Sequence, residues 1–302
     1  IYGELEYELT SEWTVIAGLR YDVEDVVNTQ SLNGVLNGVI PVSGSGTLDT
    51  TFSALLPKLG VVYKFDEYKS LGFTYQRGYR AGGIGVTVPL TGGNATTFEF
   101  APEFTDTFEL AYRSQSIDGR RIFNANAFYT NWSDQQVSTI DPAGLAVISN
   151  AASSDLWGAE FDYRQLLNDN LEVFASAAFV RTKYGDVVGI GGQQLAGNSF
   201  PGAPELIASF GANYRFDNGL SIGGDVQYTS SSFSDAVNTP QLENDAYWLA
   251  NINANYAFDN GLIITGYVRN LFDEIYTTQQ TITGFVGTGP RREIGVYATI
   301  TL

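Results

Sequence analysis

The sequence predicts an all-β fold, an up-and-down antiparallel β-barrel that crosses a membrane with its strands. Three observations carry that prediction. Apolar and polar residues alternate along the chain with a period of two, the mark of strands with two different faces. Short turns and long connections follow one another in strict rotation, and aromatic residues gather near the ends of the alternating runs, as they do at the two interfaces of a membrane barrel. About thirteen strands fit this rhythm, most near the roughly 9–11 residues that a tilted strand needs to cross a bilayer.

In chain order, the first run sets Leu5, Tyr7 and Leu9 against Glu4, Glu6 and Glu8. After a tight turn at 10–12, Trp13, Val15, Ala17, Leu19, Tyr21 and Val23 oppose Thr14, Arg20, Asp22 and Glu24. Residues 25–50 read as the first long connection, and a turn at 66–67 leads to the second, 80–102. Turns at 117–119 and 168–170 flank a connection at 133–145, and a further long one follows at 184–203. Phe-Asp-Asn-Gly-Leu then occurs twice, at 216–220 and 258–262, as the turn of a hairpin; Asp, Asn and Gly suit such turns because they tolerate positive φ. Between these two turns, Leu220, Ile222, Val226 and Tyr228 oppose Ser221, Asp225 and Gln227, a connection spans 229–245, and Trp248, Ala250, Ile252, Ala254, Tyr256 and Phe258 oppose Asn251, Asn253 and Asn255. A last connection at 273–290 precedes a final run of Ile294, Val296, Ala298, Ile300 and Leu302. That run ends on the side of the short turns. Trp13, Phe65, Tyr68, Phe216 and Phe258 mark that rim, and Tyr21, Tyr129, Trp132 and Tyr228 the other. A soluble sandwich or solenoid also alternates, but the strict short-long rhythm and the polar stripes favour the barrel.

Composition narrows the chemistry. The 302 residues carry Lys+Arg 16 against Asp+Glu 33, a formal net charge of −17, with charged residues at 16% and aromatics at 14%. Few charges and many aromatics exclude disorder, and the acidic balance argues against a nucleic-acid partner. There is no Cys and no His, so thiolate and Ser-His or Cys-His nucleophiles are absent and a usual zinc site is excluded; carboxylate-pair hydrolysis and oxygen-ligand Ca²⁺ or Mg²⁺ sites stay open, and no metal ligand or cofactor is assigned. The first residue, Ile1, already lies in strand-like sequence; the chain reads as a piece of a longer protein.

Several words sharpen the fold prediction. Tyr75-Gln76-Arg77-Gly78-Tyr79-Arg80-Ala81-Gly82-Gly83 resembles a strand-to-loop segment of TonB-dependent outer-membrane receptors, and residues 101–110 (APEFTDTFEL) resemble their P-E-x-x-x-x-x-E-L-G strand, with Ala111 in place of Gly. Residues 128–136 (FYTNWSDQQ), Gly158-Ala159-Glu160, residues 270–276 (NLFDEIY) and Pro290-Arg291-Arg292 follow in the family's order. Members usually end in an aromatic residue, whereas this sequence ends at Leu302. The resemblance implies that residues 1–302 are the C-terminal portion of a barrel of about 22 strands with a plugged lumen; the N-terminal plug and first strands are absent from this sequence. It further implies an active-transport receptor of the bacterial outer membrane and not an enzyme. Such a receptor binds a scarce small molecule at external loops and draws energy through the plug from the TonB-ExbB-ExbD complex, in contact with lipid bilayer and lipopolysaccharide. A ferric siderophore is the first choice of substrate. Glycans, haem or cobalamin are the alternatives within the family, and a passive porin-type channel is the alternative outside it.

No residue presents itself as catalytic or as a metal ligand. For ligand binding, Arg77, Tyr79 and Arg80 form an Arg-aromatic cluster at the base of the 80–102 connection, where charge-assisted hydrogen bonds and cation–π contact suit an anionic or planar group. Asn94 in that connection, and Trp132, Gln135 and Gln136 at the next, are the other candidates. Glu4, Glu6 and Glu8, and likewise Asp22, Glu24 and Asp25, are expected to be a polar lumen wall paired with neighbouring basic residues rather than a cation site.

Overall fold

The computed structural model describes residues 1–36, 40–88, 93–140, 146–150, 153–189 and 192–300. Thirteen strands form its wall. They are β1 (Tyr2–Glu8), β2 (Trp13–Leu36), β3 (Ile40–Asp66), β4 (Lys69–Arg80), β5 (Glu103–Gln115), β6 (Arg121–Ser133) and β7 (Ser154–Leu166). They continue with β8 (Leu171–Lys183), β9 (Leu206–Arg215), β10 (Leu220–Thr229), β11 (Tyr247–Ala257), β12 (Leu262–Arg269) and β13 (Glu293–Ile300). Each pairs antiparallel with the next in sequence, and β1 and β13 form the two edges. Because direction alternates without a break, the six short turns share one end and the six long connections the other. The end of β13 at Ile300 lies with the short turns; Thr301 and Leu302 fall outside the described residues.

Turn chemistry is local. In the two Asp-Asn-Gly turns, Gly219 and Gly261 take φ of +84° and +81°, a region that costs glycine nothing. The preceding Asn side chains accept from the first strand amides beyond, Asn218 from Leu220 at 3.2 Å and Asn260 from Leu262 at 3.1 Å.

Register keeps the two faces coherent from strand to strand. Ile222, Ala254, Gly266 and Val296 stand opposite one another in succession, as do Gly224, Ile252, Val268 and Ile294. On the reverse side, Asp225 stands opposite Asn251 and accepts from its Nδ2 at 2.8 Å. The Thr107–Thr130 and Ser176–Ser209 hydroxyl pairs at 2.9 and 2.8 Å extend the same polar face. Phe210, Ile252 and Val296 remain 60%, 41% and 73% exposed, a continuous apolar surface that matches hydrocarbon and would associate in water.

Packing confirms which architecture this is. The seven buried apolar residues among those described are Val42, Leu48, Ala54, Ile84, Val187, Leu195 and Leu242. Val42, Leu48 and Ala54 lie in the part of β3 paired with β2 beyond Arg20 and the other four in the long connections, so among the described residues the wall has no apolar core of its own. A sandwich would bury one face of every strand.

Aromatic rings edge the apolar face. Near the short turns a chain of contacts runs Trp13–Tyr63–Phe65–Tyr112–Phe123–Tyr163 with centroids 4.7 to 6.5 Å apart. Tyr214–Phe216 and Tyr256–Phe258 continue the rim. Towards the other end stand Tyr75–Phe108, Trp157–Phe179 and Tyr228–Trp248.

One expectation changes. Of residues 25–50, read as a connection, 25–36 and 40–50 are strand: β2 and β3 stay paired to Leu36 opposite Ile40. The last β1–β2 pair is Tyr2–Arg20, so the hairpin extends well past the wall. Beyond Arg20 sixteen residues of β2 remain, about 50 Å at about 3.3 Å each. Its Ser, Thr, Gly and Asn content resembles a loop, but alternating Val and Thr sustain pairing, with the Thr29 and Thr47 hydroxyls 2.9 Å apart across the strands.

Candidate functional site

The mouth of the wall, where the long connections arise, gathers the candidate ligand residues, and the pleat sorts them. The β4–β5 register runs unbroken from Lys69–Ser114 to Arg80–Glu103. Leu71, Phe73, Tyr75, Arg77 and Tyr79 therefore share the apolar face, while Gln76 and Arg80 point to the polar one. The expected cluster of Arg77, Tyr79 and Arg80 is thus divided, because residues of opposite parity project to opposite sides.

On the apolar side at this rim, the Arg77 guanidinium lies 4.6 Å over the Phe104 ring, with Nε 3.9 Å from Asp106. Tyr79 stands 5.6 Å from the same ring, and the Tyr75 hydroxyl donates to Asp106 at 2.7 Å. This belongs to the band where membrane barrels meet headgroups.

On the polar side, Arg80 pairs with Glu103 at 2.8 Å; the Glu103 side chain is only 5% exposed. The second oxygen of Glu103 accepts from the Gln136 backbone N–H at 2.6 Å. The Gln136 side chain donates to the Ala81 and Ala101 carbonyls at 2.8 and 3.1 Å. Gln135 is buried and accepts from the Ser154 hydroxyl. Both glutamines are thereby engaged in fastening the 81–102 and 134–153 connections to the wall. Asn150 reinforces that joint: its amide donates to Ala101 O at 2.8 Å and Asp134 O at 2.9 Å, and its oxygen accepts from Ala101 N at 2.6 Å.

Asn94 is exposed and lies beside the projecting hairpin, opposite Ser43 in a short parallel pairing. Its neighbours cross one face of β3, since a Cβ on Gly44 would meet Ala95 O at 2.5 Å and one on Gly46 would meet Thr97. Residues Gly83–Thr87 and Thr96–Phe100 pair as a small hairpin.

Trp132, opposite Thr105 and Ser154 in register, takes the polar side. Its ring meets Phe200 edge-on at 6.1 Å, and Phe200 packs against Tyr184 at 4.6 Å. The indole Nε1 is buried without a partner among the described residues, as are Arg77 Nε, Tyr79 OH and Thr14 Oγ1. Sequence reasoning missed Tyr184, Phe200, Glu103 and Asn150. The two aromatics within an otherwise polar connection were the available signal.

The carboxylate rows behave as wall. Lys58 reaches Glu4 at 3.0 Å and Lys64 reaches Glu8 at 3.1 Å. Gly18 lies between the first pair, and a Cβ there would meet both side chains at 3.3–3.4 Å. Asp22 pairs with Arg20 and Asp25 accepts from Thr51. Near the end of the chain, Asn270 and Asp273 take positive φ, and Asp273 receives Arg291 Nε at 2.9 Å, Arg291 Nη2 at 2.5 Å and the Arg292 N–H at 2.9 Å. Those donors hold its carboxyl well below the usual range. Among the described residues no group of three or more Asp and Glu is disposed to hold a metal ion.

Comparison with known proteins adds the following. A family model described as TonB dependent receptor-like, beta-barrel, matches residues 1–271. The ferrioxamine receptor of Yersinia enterocolitica is 23% identical over 295 residues, covering 96% of this chain and 38% of the relative. The probable TonB-dependent receptor BfrD of Bordetella pertussis is 23% identical over 301 residues, covering 97% and 39%. Among solved structures, the ferric yersiniabactin uptake receptor FyuA from Yersinia pestis matches with a TM-score of 0.80 at 21% identity, over 99% of this chain and 44% of that one. The siderophore receptor PiuA from Acinetobacter baumannii matches with a TM-score of 0.75 at 19% identity, over 98% and 42%. The chain spans about two fifths of the length of these proteins.

Proposed function

Because the chain belongs to the TonB-dependent receptor-like β-barrel family, a family of outer-membrane receptors and transporters, we propose that it forms the C-terminal wall of a receptor that takes up a ferric siderophore. The observation that carries this reading is the thirteen-stranded antiparallel wall, apolar on one face and polar on the other, with every long connection at one end. An apolar exterior places the strands in lipid, and the polar side then lines a lumen. The wall supplies thirteen of the about 22 strands of a plugged transporter barrel. A plug carried elsewhere in the protein couples transport to TonB with ExbB and ExbD, and lipopolysaccharide surrounds the external rim.

Ligand contact falls to the lumen side of the mouth. Arg80, Asn94 and Trp132 are proposed to touch the ligand, with Gln135 and Gln136 holding the connections that present them. Arg77 and Tyr79 face outward and support the rim.

The test is uptake of radiolabelled iron by siderophore-starved cells that lack their own receptors and carry the full-length protein. Accumulation from a ferric siderophore, lost on deletion of tonB, is the expected result. Equal accumulation without TonB would replace active transport by a passive channel, and no accumulation from any ferric chelate would refute the substrate class. Removing residues 82–97 should abolish binding while the barrel still assembles, since no wall strand is cut.

A further inference from the structure

Charge is distributed very unevenly between the long connections and the rest of the chain. The long connections and their flanks, residues 21–57, 81–102, 134–153, 184–205, 230–246 and 270–292, contain fourteen Asp and Glu but only two basic residues, Arg291 and Arg292. The rest of the chain holds nineteen acids and fourteen bases. The acids are spread over all six connections, so what they create is a field over the part of the mouth that this chain forms and not a pocket.

Cations at the mouth are largely answered. Arg80 is paired with Glu103, Arg181 with Glu205 at 3.1 Å and Arg291 with Asp273, while Lys183, opposite Asp155 in register, is in no ion pair with a described residue. Among the described residues of the connections, Arg292 is the one guanidinium with no carboxylate partner. Glu24, Glu99 and Asp245, by contrast, are exposed, and none is within ion-pair distance of a described cation. Trp132, Phe200 and Tyr184 form an aromatic cluster at the mouth, and aromatic rings attract cations.

From this arrangement we infer that the external mouth selects for ligands of net positive charge and disfavours anionic ones. The inference rests on the uptake reading and narrows its substrate class to cationic chelates. A potential of about −1 kT/e at the mouth raises the local concentration of a monovalent cation about threefold and lowers that of an anion equally, a ratio of about sevenfold.

Two measurements on the full-length receptor, otherwise free of accessible cysteine, decide it. First, Asn94→Cys is modified with a trimethylammonium thiosulfonate and with a sulfonate-bearing one, and the rate ratio is divided by that for free cysteine. A normalised ratio of about five or more is expected at low salt. It should shrink at about 0.5 M salt, where the Debye length is only a few ångströms. It should shrink as well in the triple variant Glu24→Gln, Glu99→Gln, Asp245→Asn. A ratio at or below one overturns the inference. Secondly, a ferric trihydroxamate bearing a free ammonium is compared with the same chelate after succinylation to a carboxylate. About sevenfold tighter binding of the ammonium form is expected, and equal binding of the two or tighter binding of the carboxylate form overturns the inference. If neither chelate binds, the uptake reading fails, while the thiol ratio still settles the charge preference.

Discussion

Replacing Ile252 by Arg tests the assignment of faces most directly. In β11, Ile252 stands four residues from Trp248 and four from Tyr256, one aromatic at each rim, and is 41% exposed on the apolar face. Four residues are about 14 Å along a strand, or about 10 Å of depth at a tilt of about 40°. The position is therefore close to the centre of an apolar band about 25 Å tall, where Arg costs about 2–4 kcal/mol. That lowers the folding equilibrium by about thirtyfold to several hundredfold. Asn253, the next residue but on the polar face and opposite Gly223 and Tyr267, provides the control, and Asn253→Arg should cost less than about 1 kcal/mol. Trp248→Arg, at the rim, should cost about as little. The assay is denaturant-dependent folding of the full-length receptor into liposomes, followed by the gel-mobility change on heating and by protection from protease. Equal losses at 252 and 253, or a larger loss at 253, would refute the outward placement of the apolar face.

Three further outcomes are expected. Single cysteines at Ile282, 88% exposed in a long connection, and at Asp217 in a short turn should label differently with an impermeant thiol reagent. Ile282→Cys should react on intact cells and Asp217→Cys only after lysis; the opposite pattern would invert the barrel. Asn150→Ala removes bonds to Ala101 and Asp134 and should loosen both connections together by about 1–3 kcal/mol, seen as faster amide exchange in each; faster exchange in one alone would contradict a shared joint. The Asp273 carboxyl is held below its ordinary value by Arg291 and the Arg292 N–H, so its contribution is present above the unfolded pKa of about 4 and is lost only as pH falls through the lower folded value. Residues 274–290 should stay protease-resistant from pH 7 to pH 4, whereas Asp273→Asn should expose them at pH 7; opening of the unmodified protein by pH 5 would refute the assignment.

How far the sequence reached depends on whether its signals are local. The Asp-Asn-Gly turns and the alternation at Ile252 and Asn253 are carried by adjacent residues, and both faces were legible. The projecting part of the β2–β3 hairpin was not. Its Gly44 and Gly46 look like loop residues, yet their role is to admit Ala95 and Thr97, about fifty positions away in the chain. The parity that separates Arg77 and Tyr79 from Arg80 was countable, but the Arg-aromatic pattern drew the three together. For Gln135 and Gln136 no count would have helped, because their partners Ser154, Ala81, Ala101 and Glu103 are fixed only by how the connections fold over the mouth.

Among the described residues the long connections are stitched in two runs of three, each middle connection bonded to both of its neighbours. Ala95 donates to Ser43 of the projecting hairpin, and Gln136 and Asn150 grip the 81–102 segment. Asn238 and Ser199 exchange two bonds, and Gln280 holds Ser234 and Glu243. A change of specificity by recombination is thereby constrained. Transplanting one connection from a relative strands the donors and acceptors of its neighbours, whereas moving a whole run of three carries its stitches along. Chimeras cut inside wall strands on either side of such a run should mature and reach the surface more often than chimeras cut around a single connection, and diversity within this lineage should accumulate in blocks three connections wide.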